Sequence, residues 1–137
     1  MIQREKATRM ADLPARTKEI SGAIVDAACA VHSELGPGLL ESIYEKCLVI
    51  ELRSRNLGVK RRVDVPVVYR GQAIGSGISI GLLVEQSIVV ELKAVDAVLP
   101  IHKARVLTVL KLTDFRLGLL INFNVAKITS GIHRIIL

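Results

Sequence analysis

The sequence predicts a single α/β domain, a mixed central β-sheet flanked by two N-terminal helices and one later helix. Three observations predict it. The chain has 137 residues, enough for one domain with a real core. Half of them are hydrophobic and only 23% are charged, which excludes a disordered chain. The apolar period is helical up to about residue 55, becomes strand-like from residue 59, and turns helical once more near residue 101.

Residues 1–17 read as a loose N-terminal arm, since Pro14 and the mixed charges offer no packed face. The domain is expected to span 18–137. Ile20, Ile24, Ala27, Ala28, Val31 and Leu35 recur at helical spacing, and Gly36-Pro37-Gly38 stops that helix. A second helix is expected over 39–55, with Gly58 as its end signal. The short turn makes the two helices packing neighbours. Four strand segments follow: 59–63, a hairpin of 65–69 and 73–74 turning at Arg70-Gly71-Gln72, and 77–84. Strand 88–94, a helix over 101–113 after Pro100, strand 116–123 and a last strand over 132–137 complete the order.

Composition narrows the function. The formal net charge is +6, which fits a polyanion partner because Lys and Arg neutralise phosphates. Aromatic residues make up 3% with no Trp, which excludes a base-stacking platform. Cys29 and Cys47 lack metal-ligand spacing and read as buried free thiols of a reducing compartment. Residues 1–19 contain no apolar signal region, and no run reaches the roughly 18 apolar residues of a membrane span. A cytoplasmic protein is expected, without a membrane partner.

The chemistry-bearing residues lie in three stretches. Gly38-Leu39-Leu40-Glu41-Ser42-Ile43-Tyr44 follows Val31-His32-Ser33-Glu34-Leu35-Gly36-Pro37. The apolar strand Val89-Val90-Glu91-Leu92-Lys93 ends in Glu-x-Lys, and strand period places both charged groups on one face. The third stretch is Leu117-Gly118-Leu119-Leu120-Ile121-Asn122-Phe123. Together they resemble the GxxExxY protein family of the PD-(D/E)xK nuclease superfamily, over residues 20–137. The resemblance implies a restriction-endonuclease-like core. It also implies a site built from Glu91 as metal ligand, Lys93 beside the attacking water, and Glu41 as a third acidic group, with Tyr44 one turn along that helix. If the chain were active, Mg²⁺ or Mn²⁺ held by Glu91 and Glu41 would activate water and clamp the phosphate.

The sequence departs from that pattern at three positions. Gly81 stands where the family commonly has an Asp, and Arg105 and Val109 stand where a helix commonly carries Gln and Tyr. Losing one of two core carboxylates leaves a hard cation short of oxygen ligands. Asp to Gly and Gln to Arg together change the local charge by +2, the charge of the ion. Arg105 is therefore expected to reach toward Glu91 or Glu41. No metal cofactor is expected in that case, and the expected function is nucleic-acid or polyanion binding by a degenerate active site. Two alternatives are an active Mg²⁺-dependent nuclease with an unusual ligand set, and a structural or protein-interaction module such as a homodimer.

Simpler readings accompany each residue. Glu-x-Lys at a strand end is by itself a solvated pair. Glu41 alone is a first-turn acid, and Tyr44 alone is core. His32 and His102 read as satisfied helix histidines, and Lys60-Arg61-Arg62 as a solvated strand.

Overall fold

In the computed structural model, which describes residues 9–137, the helices are α1 (Ala15–Leu35), α2 (Glu41–Ser54) and α3 (Pro100–Leu112). The strands are β1 (Val59–Tyr69), β2 (Gln72–Val84), β3 (Ile88–Lys93), β4 (Leu117–Asn122) and β5 (Ile132–Ile136). The sheet order is β1-β2-β3-β4-β5. Among the described residues only β3 and β4 run parallel, and α3 is the crossover that joins them. The expected mixed α/β sheet with two early helices and one later one is what forms.

The helices cover opposite faces. The larger core joins Ile24, Ala28, Tyr44, Leu48 and Leu52 of α1 and α2 to Leu82, Val90, Leu119 and Phe123 of the sheet. A smaller core under α3 joins Val109 and Leu110 to Val65, Ile80, Leu83 and Val89. Strand β4 has both faces covered and is buried at every position, as its unbroken apolar run requires.

Three expectations are corrected. The four strand segments before residue 85 are two long strands. They turn at Arg70-Gly71, both at positive φ, and irregularities at Val65/Pro66 and Val67/Val68 let the ribbon absorb its Pro and Gly residues. The boundary at 17/18 falls inside α1. Residues 1–8 of the expected arm lie outside the described residues, but Met10–Asp12 form a short 3-10 turn and Leu13 is buried in the larger core. Cys29 and Cys47 are free but half-buried at the core's margin rather than enclosed.

Strand β2 carries a further irregularity. Along it, Leu82 and Val84 enter the larger core, whereas Ile80 enters the smaller one. Residues two apart should share a face. The alternation breaks at Gly81, one step past Leu82↔Val90, where the pairing of β2 with β3 stops. Beyond that point β1 and β2 continue as a two-stranded ribbon that leaves the body of the sheet. Its tip exposes Val68, Tyr69 and Ile74.

Candidate functional site

Strand β3 ends beside α3, and this pairing builds the site. Val89, Glu91 and Lys93 alternate onto the α3 face of the sheet. On α3, His102, Arg105, Val106 and Val109 fall at i, i+3, i+4 and i+7, a single stripe. Together with Ile78, Ser79 and Ile80 at the root of the ribbon, these residues line one notch. The space inside admits a water-sized group over about 10 Å³, room for roughly one water.

Glu91 is the carboxylate of this notch, and its surroundings oppose its charge. Burial is the largest influence and raises its pKa above the usual carboxylate value. Lys93 and Arg105 pull the pKa down, while the neighbouring carboxylate of Glu41 pushes it up. Lys93 Nζ lies 3.7 Å from Glu91 Oε1. That contact is long for a charge-assisted hydrogen bond and weak as an anchor.

Arg105 faces the notch and is close enough to act on Glu91. Among the described residues it forms no ion pair of 4.0 Å or less with either Glu91 or Glu41. Of the expected reach, no direct carboxylate contact forms among the described residues. Glu41 begins α2, is exposed, and influences Glu91 without lining the notch.

Tyr44 is placed elsewhere. It is fully buried and stacks on Phe123 at 4.7 Å between ring centroids. Its hydroxyl donates to the Gly36 carbonyl at 2.6 Å and accepts from the Leu39 amide at 3.1 Å. Both hydroxyl roles are taken by the turn between α1 and α2. Gly36 and Gly38 hold that turn at φ of 69° and 100°, which suits glycine. In this chain the Gly-x-x-Glu-x-x-Tyr spacing closes a helix–helix corner.

The other polar residues sort themselves simply. His32 is buried, and its Nε2 donates to the Val125 carbonyl at 2.8 Å. His102 accepts the Leu99 amide on Nδ1 at 3.0 Å, so a neutral ring carries its proton on Nε2. It also lines the notch, as does Ser79; periodicity in the sequence alone points to neither as a site residue. The α3 stripe is the available signal for His102, since it lies three residues before Arg105. Arg61 pairs with Glu45 at 3.2 Å, so the basic cluster on β1 is partly spent on structure.

Does this donor set fit a divalent ion? A Cβ at Gly81 would lie 3.5 Å from Glu91 Oε2, so position 81 adjoins the site but carries no oxygen. Among the described residues no three His, Cys, Asp or Glu side chains converge as ligands. A hard cation takes six or more oxygens, and here an ammonium and a guanidinium share the space with one carboxylate. The residues present do not fit the ion.

A Glu-x-Lys strand lies at the centre of a mixed sheet, a long strand runs antiparallel beside the acid, and a helix packs over both. No helix among the described residues is long and apolar enough to cross a membrane. Comparison with curated proteins and with solved structures gave no match. Among family models, residues 18–135 match the PD-(D/E)XK nuclease superfamily. The match runs from within α1 to within β5, and the chain belongs to that superfamily.

Proposed function

We propose that this protein is a non-cleaving member of the superfamily, of the GxxExxY type, that binds nucleic acid or a similar polyanion without a metal ion. The observation that carries the reading is Gly81, which adjoins Glu91 where a second carboxylate would complete an ion site. Lys93 and Arg105, the two cations beside Glu91, favour a phosphate over a metal ion. The net charge of +6 supports the same partner. With few aromatic side chains, affinity must come from phosphate contacts and be insensitive to sequence.

The test incubates the purified chain with labelled single-stranded and duplex DNA and RNA in Mg²⁺ or Mn²⁺. Binding at low salt that falls steeply with added salt, with no strand scission, is the expected result. Metal-dependent cleavage abolished by Glu91→Gln would replace this reading with an active nuclease. Absence of any binding, together with a stable oligomer, would favour an interaction module.

A further inference from the structure

Resting on that reading, we infer that the notch between β3 and α3 is a metal-independent seat for one phosphodiester group of a nucleic acid, with the Arg105 guanidinium as its outer cation. The notch is lined by Lys93, Arg105, His102 and Ser79, all able to donate hydrogen bonds, and by a single carboxylate, Glu91. Counting formal charges, Lys93 and Arg105 give +2 and Glu91 gives −1, so the lining is +1 with His102 neutral, and Glu41, exposed and outside the lining, is a further acid that brings the local sum to zero.

The geometry sets what can enter. Room for about one water admits one non-bridging oxygen, not a whole phosphate. The rest of the group must stay at the mouth. Arg105 is exposed, has no ion pair of 4.0 Å or less among the described residues, and stands on the same helical stripe as the buried Val106 and Val109. It can therefore turn its planar fork onto the outer oxygens without breaking an existing contact. Lys93 is set deeper and is loosely held by Glu91 at 3.7 Å. It reaches the inner oxygen. Ser79, at the root of the ribbon, and the His102 Nε2 proton flank the same opening. The seat catches one phosphate and leaves the bases untouched.

The experiment measures binding of a fluorescein-labelled 20-nucleotide DNA by anisotropy, in EDTA and at several salt concentrations. Wild type is compared with Arg105→Gln, Arg105→Lys and Lys111→Gln. Lys111 is exposed on the same helix and is absent from the notch lining, so it controls for loss of one charge. Matching melting curves exclude misfolding of these surface variants. Arg105→Gln is expected to weaken binding about tenfold and to lower the slope of log K against log salt by about 1. Arg105→Lys, which keeps the charge but lacks the fork, recovers part of the loss. Lys111→Gln changes affinity less than about twofold. Equal losses in Arg105→Gln and Lys111→Gln would overturn the seat while leaving general polyanion binding intact. Wild-type binding that vanishes in EDTA would overturn it by restoring the ion. No binding by wild type in any condition would remove the proposed function itself.

Discussion

Restoring the missing carboxylate with Gly81→Asp is the most direct perturbation of the site. Gly81 does not have a positive φ, so an L side chain meets no backbone strain there. A Cβ would lie 3.4 Å from the Val90 carbonyl and 3.5 Å from Glu91 Oε2, both ordinary contacts. The new carboxylate therefore fits, and it sits about 4–6 Å from that of Glu91 once it turns away. At an effective dielectric near 20, two such charges repel by roughly 3–4 kcal/mol. Lys93 and Arg105 offset part of this, leaving a cost of about 2 kcal/mol in chelator. For a chain of this size that lowers Tm by about 5–10 °C. A divalent ion that binds only the folded variant reverses the loss, contributing about 2.7 kcal/mol at a hundred times its Kd. Thermal melting of wild type and variant, each with EDTA and with millimolar Mn²⁺, reads this out. Mn²⁺ should raise the variant's Tm and leave the wild type unchanged. Cleavage should not return with the metal, because Arg105 and Val109 also depart from the pattern of the GxxExxY proteins that the sequence resembles. The reasoning fails if the variant melts with wild type in EDTA, or if Mn²⁺ moves both proteins equally.

The remaining predictions concern stability. Glu91 has a raised folded-state pKa, so its favourable contribution is present at low pH and is lost as pH rises through the folded value; Glu91→Gln should equal or exceed wild type in urea titrations at pH 8, with the advantage shrinking toward pH 4. His133 is held below its usual value by burial and by Lys103, so stability should fall as pH drops below about 6.5, and His133→Gln should flatten that limb. Ser21 is buried with its hydroxyl unpartnered among the described residues, so Ser21→Ala should stabilise by about 1 kcal/mol, and a lower Tm would show a hidden partner. A Cβ at Gly118 would collide with Val106 Cγ1, so Gly118→Ala should push α3 off β4 and cost roughly 1–3 kcal/mol; an unchanged melt would mean that α3 is free to shift.

The architecture is legible in the sequence wherever burial imposes a period. α1, α2, β3 and β4 bury a face or both faces, and their apolar residues repeat accordingly. The ribbon is not, because Asp64, Pro66, Gly75 and Gly77 look like strand breakers. On an edge ribbon with pairing irregularities they interrupt little of the core, since of their direct neighbours only Val65 is buried. Leu13 escapes detection because a single anchor before Pro14 has no period to reveal it. At the site, the strand phase puts Glu91 and Lys93 together, and the structure agrees. Tyr44 goes to the core because its spacing from Glu41 fixes only the helix face. It says nothing about which way a buried ring turns. The phase of Arg105 depends on where α3 begins, and Val106 and Val109 settle it once their burial is seen.

The departure of β2 from β3 at Gly81 also sets a rule for length variation. Past that glycine the ribbon's two strands hydrogen-bond mainly to each other, and its tip touches no core. Residues can be removed in matched pairs across Arg70-Gly71, such as Val68 with Ala73 and Tyr69 with Gln72, without altering the sheet below. Parity limits the cuts: taking one pair turns every side chain beyond the cut to the opposite face, and taking two restores it. Relatives that share this body should therefore differ in ribbon length by even steps per strand, with Val65 and Ile80, held in the smaller core, marking the point below which length is fixed.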